Sequence, residues 1–361
     1  MFKKQITLLL SLFISIGVAW AQVPAAYYDS AEGKIGYELK TELHNIIKDH
    51  SPRAYQELWG DFQLTDKKPN GKVWDIYSDN PNGTPPYEYT FVTDQCGNYA
   101  GEADCYNREH SFPSSWFANE HPMRTDLFHI YPTDGWVNNK RADYTYGEVS
   151  SPTWTSLNGS KLGNCSYPGY TGRVFEPIDE YKGDLARTYF YMATRYEDKI
   201  ASWASSSSET MVFMSGTSGQ AYKEWFINMM IEWHLDDPVS EKEINRNNAV
   251  YQLQNNRNPF IDRPEWVIYI WRPWEVIAVE DNTKQLDYYH YLDNAKSLNI
   301  NFKDNVEALD VEVFNVSGQS LYRGKFFSQS NVKIDMQNLT KGVYIVRLKT
   351  NTGNSVFKII R

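Results

Sequence analysis

The 361-residue sequence predicts an α+β domain followed by a small all-β module with a sandwich architecture. Up to about residue 285, amphipathic segments with helical spacing alternate with stretches rich in turn-forming residues. Beyond that point the helical periodicity disappears, and apolar and polar residues alternate as they do in half-buried strands. This change of periodicity divides the chain into two parts of different structural class.

The spacing of apolar residues predicts a helix in three segments, 30–50, 179–197 and 240–255. The third segment begins with a capping-box pattern, in which Ser240 and Glu243 are placed to bond each other's backbone amides. The segments between these helices contain many turn-forming residues. We therefore expect short strands and loops over 51–105, including the apolar piece 73–77, and a polar loop over 148–172.

The last part of the chain reads as strands joined by turns. Alternating segments cover 309–316, 332–336 and 343–348, and the chain ends on a basic, apolar segment. Turns are predicted where glycine follows a polar residue, at Ser317-Gly318, Lys341-Gly342 and 351–353.

The first 21 residues have the features of a signal peptide, with Lys3 and Lys4 before an apolar run and a small-x-small pattern at 19–21. No later stretch has the roughly 20 apolar residues that a membrane-spanning helix needs. We therefore predict an exported chain without a membrane span, with a signal peptide over 1–21, a first domain over 22–283 and a β-rich domain over 284–361.

Three cysteines are present, Cys96, Cys105 and Cys165. In an exported protein one disulfide is expected, and a bond between Cys96 and Cys105 would close a short loop. Three free thiols are the alternative. Three isolated cysteines do not make a zinc site.

The net charge of −9 is unfavourable for a protein that binds nucleic acid tightly, since phosphate contacts need Lys and Arg. The charge is uneven, because residues 296–361 carry +5 and the rest of the chain carries −14. A hydrolytic enzyme needs only a local basic groove and a metal. The composition therefore argues against a tight nucleic-acid binder more than against a hydrolytic enzyme.

The densest chemical signal is the segment 105–117, in which Glu109 precedes His110 and Pro113 follows. Adjacent side chains on a strand point to opposite faces, so these two converge on one site only if the strand ends or bends there, as Pro113 indicates. Imidazole has the unperturbed pKa that suits a base near neutral pH. Further along, Asn138 offers a neutral oxygen ligand of the kind that hard cations accept.

These motifs resemble those of the endonuclease I family of bacterial periplasmic and extracellular nucleases, which are His-Me finger (ββα-metal) enzymes. The resemblance spans about residues 30–275 and includes two further segments, 175–187 and 237–262. The motifs that carry it are Asn107-Arg-Glu-His110, Pro113, Trp116-Phe117, Asp126 and Val137-Asn138-x-x-Arg141. The resemblance implies a ββα-metal core with surrounding helices.

The resemblance also implies roles for single residues. His110 would be the general base, and Glu109 and Asn138 would bind one Mg²⁺ whose shell is completed by water, with Ca²⁺ or Mn²⁺ as alternatives. The implied reaction is hydrolysis of DNA, RNA or both with little sequence preference, giving a 5′-phosphate and a 3′-hydroxyl.

Family members use an arginine to steady the phosphate, and the motifs do not identify it here. Arg141 is the first candidate because it lies three residues after Asn138, and Arg124 and Arg173 are the others. We also predict that Arg108, Lys182 and Arg187 bind substrate. Surface ion pairs are the alternative for Lys182 and Arg187.

The C-terminal part resembles the type IX secretion sorting domain of Bacteroidetes proteins. The matching features are Val313-Phe-Asn-Val-Ser-Gly318, the segment 339–347 and the basic apolar terminus, whereas the usual Tyr-Pro-Asn-Pro opening is absent and 291–294 stands in its place. The resemblance implies a secreted or cell-surface protein whose partner is the type IX secretion machinery.

Two other functions remain open at this point. One is an extracellular enzyme of the same family that prefers RNA, and the other is a surface binding protein built on a degenerate nuclease scaffold. The intact Glu109, His110 and Asn138 argue against the second. We expect a monomer whose partner is a nucleic-acid substrate.

Overall fold

The computed structural model describes residues 23–274, 286, 288–293, 295–316, 318–350 and 353–361. The predicted signal peptide lies outside these residues, as do the predicted boundary at 283/284, Asn294 and parts of the turns predicted at Ser317 and at 351–353. The described chain mixes helices and sheets, as predicted for its fold class. None of the described helices is long and apolar enough to cross a membrane.

The first part of the chain is mainly helical and is built around one buried helix, α4, in which every residue is buried. Apolar residues from helices before and after it pack on α4, so the core of this part is continuous. The helices are α1 (Gly36–Ile47), α2 (Leu58–Thr65), α3 (Gly135–Arg141), α4 (Lys182–Arg195), α5 (Ile200–Trp203), α6 (Ser208–Phe213), α7 (Glu224–Asp236), α8 (Glu241–Gln254), α9 (Pro259–Asp262) and α10 (Trp266–Trp271).

Two small antiparallel sheets complete the first part. One pairs β1 (Tyr106–His110) with β2 (Ile130–Asp134), and α3 follows β2 without a loop. The other contains β3 (Pro152–Thr155), β4 (Lys161–Asn164) and β5 (Arg173–Glu176).

All three predicted helices are present, and each is shorter than predicted at both ends. The helix predicted from residue 30 begins at Gly36, because Gly33 has a φ of 73° and turns the chain before it. The capping box at α8 is confirmed, since the side chains of Ser240 and Glu243 each accept from the other's backbone amide.

The predictions for the intervening segments were partly wrong. The predicted loop over 148–172 contains β3 and β4, and 51–105 contains α2. The piece 73–77 forms only an isolated bridge at Val73, because the Asp75 carboxylate accepts from the Tyr77 amide at 2.8 Å and turns the chain.

The all-β prediction for the C-terminal module is confirmed. Its strands are β6 (Tyr288–Leu292), β7 (Ser297–Asn315), β8 (Ser320–Asp335), β9 (Val343–Thr350) and β10 (Asn354–Ile360). The pairing of the long strand β7 with β8 shifts register between Asn301 and Val306. Its first half pairs with β6 and its second half with β9, and apolar residues of both halves share one core. The single sheet therefore curls around its own interior, as a small sandwich does.

Candidate active site

The chemical motifs found in the sequence meet on β1, β2 and α3. Asp134 ends β2 and caps α3, since its carboxylate accepts from the Val137 amide at 2.8 Å. The first amide of α3, at Gly135, donates to the Cys105 carbonyl at 2.9 Å, just before β1. These bonds hold the helix against the strand that carries Glu109 and His110.

The side chains of β1 alternate between two environments. Asn107 and Glu109 contact α3, whereas Arg108 and His110 contact the ring of Tyr55. β1 ends at His110, so the strand stops where the sequence indicated, and the side chains of Glu109 and His110 leave its last two residues toward different neighbours.

The Glu109 carboxylate is 3% exposed and is held through one of its oxygens. Oε1 accepts from the Tyr77 hydroxyl at 3.0 Å and from Nη1 of Arg141 at 3.1 Å. Oε2 has no hydrogen-bond partner among the described residues. Burial raises the pKa of Glu109 to about 7, although Arg141 and Tyr77 act in the opposite direction. A cation next to Oε2 would compensate this buried charge.

Asn138 faces the same side of β1 from the helix. Its amide nitrogen donates to Oδ1 of Asn107 at 2.8 Å, which leaves Oδ1 of Asn138 to accept another partner. Asn138 and Arg141 are three residues apart and share a face of α3, as Asn107 and Glu109 share a face of β1. The two pairs of contacts therefore place the Asn138 oxygen and the Glu109 carboxylate on facing surfaces.

These two side chains fit a hard divalent cation. One carboxylate oxygen and one amide oxygen are donors that Mg²⁺ accepts, with water completing its octahedral shell. Within the described ranges, no group of three or more His, Cys, Asp and Glu residues could hold a metal ion. A cation bound by Glu109 and Asn138 would therefore depend on water and substrate for its remaining ligands.

His110 is held in one tautomer by a backbone carbonyl. Its Nε2 lies 3.1 Å from the carbonyl oxygen of Arg124, which can only accept, so Nε2 carries the proton and Nδ1 has the lone pair. Burial, with the nearby charges of His129, Arg124 and Arg108, lowers the pKa of His110 to about 3. The imidazole is therefore neutral at pH 7, and Nδ1 is unprotonated.

Two arginines flank His110 around the ring of Tyr55. The guanidinium carbon of Arg108 lies 3.7 Å from the centre of this ring and that of Arg124 lies 4.8 Å from it. Arg108 also donates to the Tyr55 carbonyl at 2.8 Å and stacks on Trp59. Neither guanidinium forms an ion pair with a carboxylate of the described residues. Two half-buried cations without an acidic partner thus lie beside the histidine.

The prediction that Arg141 contacts phosphate does not fit the position of its side chain. Its side chain is 1% exposed and donates to the Glu109 carboxylate and to the carbonyls of His110 and Ser111. With these donors occupied inside the protein, Arg141 positions Glu109 and the end of β1.

Two further substrate-binding predictions are also wrong for the same reason. Lys182 is 8% exposed and pairs with Glu148 and Glu176, and the fully buried Arg187 pairs with Glu243. Lys182 also pairs with the exposed Asp179 at 2.8 Å, so the ion-pair alternative describes Lys182, whereas the pair of Arg187 lies inside the core. Arg173 is exposed on β5, donates to Thr153 and has no contact with the site residues among the described bonds.

The predicted disulfide between Cys96 and Cys105 is present, with its Cα atoms 5.8 Å apart, and Cys165 is free and buried. Three other side chains at the site were not assigned a role from the sequence. Tyr55 and Tyr77 lie in segments without a motif, and His129, whose ring centre is 5.5 Å from that of His110, had no assigned role.

Comparison with known proteins adds to this geometry. Residues 35–265 match the family model described as Endonuclease I, and residues 294–361 match the one described as Secretion system C-terminal sorting domain. An extracellular ribonuclease of Bacillus subtilis (strain 168) is 33% identical over 248 residues, which cover 68% of this chain and 78% of that protein. A periplasmic deoxyribonuclease of Aeromonas hydrophila is 24% identical over 171 residues, which cover 47% of this chain and 56% of that protein.

Proposed function

We propose that this chain, which belongs to the endonuclease I family, is a one-metal endonuclease that hydrolyses DNA and RNA with little sequence preference. That it is an exported nuclease rests on the family and on its sorting domain, which directs it to type IX secretion. The observation that carries the finer proposal is the end of β1. There His110, with its free Nδ1, follows Glu109 on β1 and lies beside two arginines that have no acidic partner among the described residues, while Asn138 contacts β1 from α3.

In this proposal Oε2 of Glu109 and Oδ1 of Asn138 hold one divalent cation, with Mg²⁺ as the first choice and Mn²⁺ or Ca²⁺ as alternatives. When bound, this cation would neutralise charge that develops on the phosphoryl oxygens and on the leaving oxygen. Arg141 and Tyr77 keep the Glu109 carboxylate in place through its other oxygen.

The chemical step then follows from His110. Its Nδ1 takes a proton from water, and the water oxygen bonds to phosphorus while the bond to the 3′-oxygen breaks. The products are a 5′-phosphate and, once the leaving oxygen is protonated, a 3′-hydroxyl. Because Nε2 stays bonded to the Arg124 carbonyl, the ring keeps its orientation as Nδ1 becomes protonated.

A preference for RNA is the second candidate, since the 33%-identical relative is named an extracellular ribonuclease. The test is incubation of the purified protein with plasmid DNA and with a single-stranded RNA, followed by end-group analysis. Cleavage of both substrates with 5′-phosphate ends is expected. Cleavage of RNA alone favours the second candidate. Cleavage of neither favours a binding protein on a degenerate scaffold and contradicts the proposal.

We further propose that the guanidinium of Arg124 binds a phosphate of the substrate, and Arg124→Ala tests this contact. We expect KM for a nucleic-acid substrate to rise roughly tenfold, because a hydrogen bond to a charged group contributes about 1.5 kcal/mol or more. The dependence of log affinity on log salt concentration should also become shallower by about one phosphate contact. Steady-state kinetics at several salt concentrations measures both effects. Lys199→Ala, which removes a positive charge at the start of α5, is the control and should change neither. An unchanged salt dependence in Arg124→Ala would contradict the assignment.

We propose the same bounds for the two domains as the sequence predicts, 22–283 and 284–361, which enclose the family matches. We also propose that the protein is a monomer, which sedimentation at several concentrations would test.

A further inference from the structure

The hydroxyl of Tyr77 lies inside the protein, behind the Glu109 carboxylate. The Tyr77 side chain is fully buried, and its hydroxyl is 3.0 Å from Oε1 of Glu109 and 2.9 Å from the hydroxyl of Tyr146. Its ring packs against Phe175, and its backbone amide is fixed by Asp75. The position of the hydroxyl is therefore set from several sides.

The direction of both hydrogen bonds follows from counting protons. Tyr77 donates its single hydroxyl proton to Oε1 of Glu109, so it has none left to give to Tyr146. The bond between the two tyrosines must then run from Tyr146 to Tyr77. Tyr146 is held in turn by the Arg141 guanidinium, 4.7 Å from the centre of its ring. The result is a series of two hydrogen bonds in which Tyr146 donates to Tyr77 and Tyr77 donates to Glu109.

This series of hydrogen bonds distinguishes the two oxygens of Glu109. Oε1 receives two donors, Tyr77 and Arg141, whereas Oε2 has no partner among the described residues. Two donors on one oxygen hold Oε1 in place and restrict rotation of the carboxylate. The carboxylate therefore presents Oε2 on its own, as a ligand with one oxygen.

We propose that Tyr77 is a positioning residue for the metal ligand Glu109. Because Tyr77 occupies Oε1, the cation is favoured to bind through Oε2 alone. Together with Tyr146, Tyr77 also orders the Glu109 carboxylate before the cation binds. This inference rests on the proposed function, because it assigns Glu109 as a ligand. Hydrogen-bond partners of metal ligands typically change metal affinity by about 10- to 100-fold when they are removed.

Tyr77→Phe tests the inference, because it removes the hydroxyl and keeps the ring. Mn²⁺ binding to the protein without substrate, followed by the electron paramagnetic resonance signal of free Mn²⁺, should weaken by about 10- to 100-fold. Raising the metal concentration should restore cleavage, so the loss falls on the metal dependence and not on the rate at saturation. Tyr146→Phe removes the donor behind Tyr77 and should weaken Mn²⁺ binding in the same direction by a smaller factor. It also keeps the inference testable if Tyr77→Phe does not fold.

The matched control is Tyr28→Phe. Tyr28 is also buried and donates to a carboxylate, that of Asp262, at 2.8 Å. Tyr28 shares the chemistry of Tyr77 but contacts none of the site residues. The Mn²⁺ affinity of the Tyr28→Phe variant should therefore equal that of the wild type. Equal Mn²⁺ affinity in wild type, Tyr77→Phe and Tyr146→Phe would overturn the inference and leave the proposed function intact. Absence of Mn²⁺ binding in the wild type would overturn the proposed function itself.

Discussion

Replacement of His110 by alanine is expected to lower the rate of phosphodiester cleavage by roughly 10²- to 10⁴-fold, the usual contribution of a general base. The variant loses Nδ1, the atom placed to accept the proton of the attacking water. The loss should fall on kcat, since the arginines proposed to bind phosphate remain. Single-turnover kinetics on plasmid DNA, with circular dichroism to confirm the fold, measures it.

Two further measurements show whether the loss of activity in His110→Ala comes from the missing base. Added imidazole should restore part of the activity of His110→Ala, because removal of the ring leaves space beside Tyr55 and Phe117 for a small base. His290→Ala, in the C-terminal sheet, removes a histidine far along the chain and should cleave at the wild-type rate. If His110→Ala cleaves within a few-fold of the wild type, another group is the base.

Glu109→Gln is expected to have the second-largest effect, a loss of about 10²- to 10³-fold at a fixed Mg²⁺ concentration. A metal ion contributes several kcal/mol of transition-state stabilisation, and each 1.36 kcal/mol is a factor of ten. Glutamine is preferred to alanine because its amide oxygen still accepts from Tyr77 and Arg141. Alanine would leave Arg141 buried without its carboxylate, which typically costs about 3–5 kcal/mol of stability.

The fold and the ligand role are separated by measuring stability and metal dependence together. The melting temperature of metal-free Glu109→Gln should stay near that of the wild type, while its cleavage loses most of its dependence on Mg²⁺. Asn138→Ala should behave in the same way, because it removes the proposed second ligand. A Glu109→Gln variant with wild-type activity at every Mg²⁺ concentration would refute the ligand assignment.

The parts of the site that could be predicted from the sequence are those encoded locally. Glu109 and His110 are adjacent, Asn138 follows in a second motif, and the helix that carries Asn138 begins directly after β2. The disulfide next to β1 could also be predicted, because a bond between Cys96 and Cys105 closes a short loop.

The roles of the arginines could not be predicted, because they depend on partners far along the chain. Arg141 is occupied by Glu109 and by the carbonyls at the end of β1, about 30 residues earlier, and Arg187 by Glu243, 56 residues later. Spacing in the sequence does not reveal whether a cation is neutralised in the core or left without an acidic partner. Arg108 and Arg124 differ in this respect from Arg141, Lys182 and Arg187, which pair with carboxylates.

Elements of the fold that depend on distant contacts were also missed in the sequence. Strong periodicity located α1, α4 and α8, whereas the three-stranded sheet of β3, β4 and β5 was missed. Its strands are four residues long, too short for alternation to show, and are set by their pairing. The role of Tyr77 could not be predicted from the sequence either, because it depends on the turn at Asp75 that places Tyr77 behind Glu109.

The most direct test of a metal-dependent nuclease centred on His110 and Glu109 is cleavage of supercoiled plasmid by the purified wild-type protein after complete removal of divalent metal. We expect no cleavage in excess EDTA, and recovery when Mg²⁺ is added back above the chelator, in wild type but not in His110→Ala. Undiminished cleavage by the wild-type protein in EDTA would contradict the account.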